Sequence, residues 1–380
     1  MNHKKHSHHK KNMKQRHCII VGCIAFAALC FLTLFSQYTD DVTELQGAAV
    51  TSTKCTVTPT TYVVVGSDDN YLYAFDADKG CLAWKSSDLG GDIKAKPIIK
   101  DSIVYVGTTT DELVAVSLTD GKEQWTADTA KIYGAVAVGD YVYAGDTAGT
   151  LGVYEDGEQV LSYTGHNIYT DVQVDNGILY IVDEYLKVGT VRAISATTMT
   201  QKWAYSTKSQ SLAAPLITSD SLYVPSNENT LYKISKQYGV ALWTFKTGKS
   251  IRSQPATDET ASIVYFGSND GYFYAVNTKD GKLVWKYPVN SEITATAAVD
   301  SSNVYFGAQN KNVYALNKKT GTLVWQAKTN GKIYGGLTVY NDKVYVPSSD
   351  KSLYALDATT GKVLWSYATK GVLYASVAIN

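Results

Sequence analysis

The sequence predicts an all-β protein, a single eight-bladed β-propeller of four-stranded blades preceded by one N-terminal transmembrane helix. Three observations predict it. A phrase of about 40 residues recurs eight times, the spacing of propeller blades. The strand missing from the first repeat reappears at the C-terminus. An uncharged apolar run follows a basic tail near the N-terminus.

The chain opens on a basic, His-rich tail, residues 1–17, that holds five of the six histidines. No Asp or Glu occurs before Asp40, and the first 39 residues carry a net charge of +6. The rest of the chain is then net −6, which leaves the zero total as a sum of unlike parts. A mildly acidic body argues against nucleic acid, whose phosphates call for a basic footprint.

Residues 18–35 are an uncharged, mostly apolar stretch of 18 residues. As a helix they would span about 27 Å, close to the hydrocarbon core of a bilayer. The Lys-rich flank belongs in the cytoplasm, which puts the body outside it, periplasmic or extracellular. The run is long for a signal peptide, and residues 34–38 lack a small-x-small cleavage pattern, so an uncleaved single-pass anchor in the cytoplasmic membrane is expected. Ile20-Val21-Gly22-Cys23 has the look of a lipobox, but most of the apolar run follows Cys23, which argues against lipidation. Residues 36–60 are Thr-rich without periodicity and read as a linker. Outside the anchor only Cys55 and Cys81 remain. In an oxidising compartment they form a candidate disulfide that would clip the linker to the first blade.

The propeller is expected over residues 61–380. Its repeat is a strand like Val344-Tyr345-Val346, a polar turn, a strand like Leu353-Tyr354-Ala355-Leu356-Asp357, and then Gly361-Lys362-x-x-Trp365. The end markers are Trp84, Trp125, Leu161, Trp203, Trp243, Trp285, Trp325 and Trp365, spaced 41, 36, 42, 40, 42, 40 and 40 residues apart. Period-2 alternation makes each segment a strand with two faces. The Asp or Asn after the third strand suits a side-chain-capped turn, and the Gly four residues on suits a positive φ. The Trp supplies an apolar plate for the gap between blades. A further strand precedes each phrase, at 93–99, 132–138, 168–174, 211–217, 251–257, 293–299 and 333–339. The eighth copy is 373–379, so the C-terminal strand is expected to complete the first blade and close the ring. Blades three and four are the least regular: Leu161 replaces Trp, and residues 184–189 enlarge a turn.

Val104-Tyr105-Val106-Gly107, Leu353-Tyr354-Ala355-Leu356-Asp357 and Gly361-Lys362-x-x-Trp365 resemble the repeat of pyrroloquinoline-quinone (PQQ)-type propellers. That resemblance implies either a quinoprotein dehydrogenase, with PQQ and calcium on the axis, or the non-enzymatic BamB-like branch, whose loops meet protein partners. Length and blade economy favour the second. The chain lacks the vicinal Cys pair and the long loops of the dehydrogenases.

Catalytic chemistry is sparse. His166 is the lone body histidine, no Cys/His metal spacing occurs, and no Gly-rich phosphate loop precedes a helix. The acidic pairs Asp68-Asp69, Asp111-Glu112 and Asp183-Glu184 suit turns rather than a calcium cage. The candidate binding surface is the start of the inner strands: Lys94, Lys96, Tyr133, Tyr169, Asp171, Arg252, Gln254, Tyr334 and Tyr374. Tyrosines there combine an apolar body with a hydrogen-bonding tip. The expectation is a non-catalytic scaffold without a cofactor that binds a protein partner, as in envelope protein assembly. The alternatives are a PQQ-dependent dehydrogenase with calcium and a carbohydrate or cell-wall binder.

Overall fold

A computed structural model describes residues 43–44, 53–138, 141–258 and 260–380. The expected tail and anchor, residues 1–35, lie outside the described residues, as does most of the linker. Among the described residues no helix is long and apolar enough to cross a membrane.

Eight antiparallel sheets follow one another around an axis, and each is one repeat. Blade 1 has the order Ala378–Ile379, Tyr62–Gly66, Leu72–Asp76, Leu82–Lys85, counted from the axis outward. Its innermost strand is thus the C-terminal one, which pairs Ala378 with Val64 and Ile379 with Val63. Asn380 adds to the closure by accepting a 2.6 Å hydrogen bond from the Tyr62 amide through its side chain.

The core is divided into layers between the blades. Each of the eight buried hydrophobic clusters joins two adjacent blades, from Val64 with Val106 at the 1–2 junction to Tyr73 with Leu353 at the 8–1 junction. Both faces of a blade are therefore buried, which is why the central strands read as near-continuous apolar runs.

The recurring tryptophans sit where the phrase places them. Trp365 of blade 8 lies over Gly80 of blade 1, and Trp84, Trp203, Trp243, Trp285 and Trp325 lie likewise over Gly121, Gly239, Gly281, Gly321 and Gly361. These glycines have φ of 66 to 71°. The glycine serves twice, since it supplies the positive φ and leaves room for an indole. The Asp or Asn before it caps the turn as expected: Asp357 Oδ1 accepts from the amides of Thr359 and Thr360 at 3.1 and 2.7 Å. Leu161 stands in register with the tryptophans, paired with Val153 as Trp365 is with Ala355. At that junction the next turn has Met199 at φ 51° in place of Gly, so plate and recess are lost together.

Two expectations are corrected. Most inner strands are shorter than the seven residues expected: Ile98–Lys100 and Ala378–Ile379 are typical, and Ile132–Val138 alone has the full length. The reason is a hydrogen bond in the other direction. In five of the segments the first amide donates to the preceding blade, as Ile93 does to Ser67 at 3.3 Å and Ile251 to Ser226 at 3.1 Å, so pairing within the blade starts later. The second correction is in blade 4. Residues 184–189 do not form an enlarged turn but lengthen the strands Ile178–Tyr185 and Val188–Ser195, joined by Leu186 and Lys187 at φ 51° and 67°. Positive φ at both central positions is the two-residue hairpin turn whose twist suits paired strands.

The linker is anchored at its end. Cys55 and Cys81 form a disulfide with Cα atoms 5.1 Å apart. Lys54 bridges Leu82 in parallel beside it. Thr43–Glu44 adds a parallel strand to the outer edge of blade 7, against Ala327 and Lys328.

Candidate binding site at the channel rim

The starts of the eight inner segments carry the candidate residues. In seven of the eight, a buried aliphatic residue such as Ile93, Ile132 or Ile333 locks into the neighbouring blade, and in blade 5 the position is the buried Ser211. The five glycines Gly66, Gly107, Gly145, Gly267 and Gly307 make this possible, because a Cβ on any of them would come within 2.2 to 2.5 Å of that isoleucine. The next residue then points away from the core and toward the axis, as alternation along a strand dictates.

All nine sequence-predicted residues line one cavity on the axis, of 350 Å³. The first ring, from blade 8 round to blade 7, is Tyr334, Tyr374, Lys94, Tyr133, Tyr169, Leu212, Arg252 and Thr294. Five consecutive blades thus present an arc of two tyrosines, a lysine and two tyrosines. The rings of Tyr334 and Tyr374 lie 5.4 Å apart and those of Tyr133 and Tyr169 5.8 Å apart. The Lys94 ammonium stands 5.9 Å from the Tyr374 ring centroid, within cation–π range.

Two residues further along is a second ring, which includes Lys96, Asp171, Gln254, Thr296 and Ser376. The sequence reading missed Leu212, Thr294, Thr296 and Ser376. Counting from the buried first position of each segment would have found them, but their small or plain side chains gave no other signal.

The charges have distinct environments. Lys94 pairs with Asp92 at 3.1 Å. Burial works against its ammonium, but Asp92 and Asp68 outweigh that and raise its pKa. Arg252 is exposed and donates through Nε to Asn227 at 3.2 Å. Asp171 fills a recess opposite Gly134, where a Cβ would lie 2.1 Å from its Oδ1. Burial pushes the Asp171 carboxyl up to about 6, with Lys96 partly opposing the shift.

Several other acidic residues are tied up in the architecture. Asp69, Asp270 and Asp350 each accept from a tyrosine four residues on, Tyr73, Tyr274 and Tyr354, at 2.6 to 2.9 Å. The same carboxylates accept amides from the chain entering their own blade from the preceding one, as Asp350 does from Asn330 at 2.9 Å. Asp183 is buried and holds Arg192 at 2.7 Å. His166 stacks on Tyr185 at 4.5 Å between ring centroids. The cavity lining holds a single carboxylate, Asp171, beside Lys96. Calcium takes about six to eight oxygen ligands, most of them hard and several anionic, so this donor set does not fit it.

Sequence comparison matches the family described as outer membrane protein assembly factor BamB over residues 39–167, 164–297 and 290–378. The chain belongs to this family. Two curated relatives of that name are similar to it. The one from Yersinia pestis is 29% identical over 108 residues, 26% of this chain and 27% of the relative. The one from Shewanella oneidensis is 24% identical over 200 residues, 47% of this chain and 49% of the relative. The chain thus matches about half or less of the length of these relatives. Among solved structures, BamB from Moraxella catarrhalis superposes with a TM-score of 0.63 at 19% identity, covering 76% of this chain and 91% of that one. The quinohemoprotein alcohol dehydrogenase ADHIIG from Pseudomonas putida gives 0.68 at 14% identity, covering 77% and 69%. At such identities the likeness is one of fold, which BamB and the dehydrogenases share.

Proposed function

We propose that this protein is a non-catalytic scaffold that grips a segment of a protein partner on its channel rim. It does so outside the cytoplasm, tethered through residues 18–35, and serves protein assembly in the cell envelope. Membership of the assembly-factor family supports the last part. The observation that carries the reading is the arc Tyr334, Tyr374, Lys94, Tyr133, Tyr169 on five consecutive blades. Tyrosine gives contact area at low conformational cost and keeps a hydroxyl for main-chain groups, which makes it a frequent interface residue. Lys94 at the centre adds a cation for a carboxylate on the partner.

The test is site-specific photocrosslinking in the native host. A photoreactive residue at position 169 or 374 should capture one discrete protein, and Lys94→Glu should abolish the capture. The same residue at position 340, at the other end of blade 8, should capture none. Equal capture at 340, or none at the rim, would overturn the reading.

A further inference from the structure

A second cavity, of 630 Å³, opens between blades 4 and 5 at the end of the blades opposite the rim. A lock used at three other junctions is missing here. In blades 6, 7 and 8 the tyrosine at the centre of the second strand reaches across to the next blade: Tyr265 donates to the Lys318 carbonyl at 3.0 Å, Tyr305 to Ala358 at 3.2 Å and Tyr345 to Ala77 at 2.9 Å. Tyr180 is the equivalent residue of blade 4. It is only 3% exposed, lines the cavity, and its hydroxyl has no hydrogen-bond partner among the described residues. Lys236 crosses the junction, bound to Asp175 at 2.6 Å and to the Thr218 carbonyl at 2.9 Å.

The walls combine two chemistries. Trp203 and Tyr180, with ring centroids 6.0 Å apart, supply an aromatic side. Asp175, Asp220, Lys202 and Lys236 supply donors and acceptors whose formal charges cancel. A neutral ligand that carries apolar faces and many hydroxyls meets both demands, since each hydroxyl donates and accepts while the ring's C–H face lies on an aromatic plate. We infer that the cleft between blades 4 and 5 binds a neutral saccharide, at a site separate from the channel rim. The partner-binding reading of the rim neither requires nor excludes it.

The test uses the full chain in a detergent without a sugar headgroup. Saturation-transfer NMR and titration with maltotriose, cellotriose and N-acetylchitotriose would report binding. Gln237 and Lys202 line the cleft and their side chains make no hydrogen bond or ion pair among the described residues, so Gln237→Ala with Lys202→Ala should leave the melting temperature unchanged. At least one trisaccharide should bind, and the double variant should bind it at least ~10-fold more weakly, the loss expected for hydrogen bonds to charged and amide groups. Tyr169→Ala at the rim should leave that affinity unchanged. Absence of binding by all three sugars at ~10 mM would overturn the inference. So would binding that the double variant retains or that Tyr169→Ala removes.

Discussion

The indole of Trp365, in the last blade, lies so close over Gly80, in the first, that a Cβ on the glycine would sit 2.3 Å from the ring. This contact joins the two ends of the repeat array. Gly80 also has a φ of 70°. Gly177 has nearly the same φ, 72°, but nothing within 4 Å of the position a Cβ would take. The pair separates backbone strain from steric contact. Gly177→Ala should cost about 1 kcal/mol, from the positive φ alone. Gly80→Ala should cost about 2–4 kcal/mol, because overpacking adds to the strain. Urea unfolding of both variants checks this, and equal costs would show that the indole yields freely.

Asp171 is expected to be maintained against stability. Its folded pKa is raised to about 6 from an ordinary 3.8, so the native state binds the extra proton between these values. Stability then falls as pH rises through that window, and the penalty is complete above it. Asp171→Asn should therefore stabilise the protein by about 1–3 kcal/mol at pH 7.5 and by almost nothing at pH 4. Melting curves at the two pH values measure it. A stabilisation that persists at pH 4 would point to packing rather than charge.

Lys318 and Asp258 form an ion pair of 3.2 Å across blades 6 and 7, with side chains only 6% and 8% exposed. Burial pushes the Asp258 carboxyl up, but hydrogen bonds from Thr260 and Lys318 outweigh it and hold the pKa below 3.8. A depressed carboxylate contributes stability above its unfolded pKa and loses it as pH falls through the folded one. Lys318→Met should cost about 3–5 kcal/mol at neutral pH, because it strands a buried carboxylate. Adding Asp258→Leu should restore most of that loss. Thermal unfolding of the single and double variants gives the comparison, and the single variant's deficit should shrink below pH 3.8.

The disulfide between Cys55 and Cys81 spans 26 residues of sequence. Closing a loop of that size stabilises by about 3 kcal/mol in the chain-entropy account. Cys55→Ser with Cys81→Ser should lower stability by that order, and a reductant should lower wild type to the same level without affecting the variant.

Much of this architecture was legible in the sequence because it rests on residues that can do only one thing. A Trp every 40 or so residues, a Gly that accepts positive φ and a Tyr flanked by valines each carry a local signal. The rim followed from the same count, since alternation sends one side chain in two toward the axis. Thr294 and Ser376 escaped notice because their place in the ring depends on position and not on type. The short inner strands were not legible, because the choice of Ile93 between two carbonyl partners is made by the packed neighbour. The cleft between blades 4 and 5 was invisible for a similar reason. Tyr180 looks in sequence like Tyr265, and only the assembled junction distinguishes a hydroxyl that reaches its carbonyl from one that does not.

Blade 1 borrows its innermost strand from the far end of the chain, and Tyr62 meets Asn380 across 318 residues. On a ribosome adding ~5–20 residues per second, about 16–64 s separate the emergence of those two partners. Throughout that interval the first blade is a three-stranded sheet whose inner edge is unpaired and whose Gly80 recess awaits its indole. Blades 2 to 7 can stack in order as they emerge, whereas the seam between 8 and 1 must form last. The nascent chain is therefore most exposed to mispairing with another chain along Val63 and Val64, and a holding chaperone would find its substrate there.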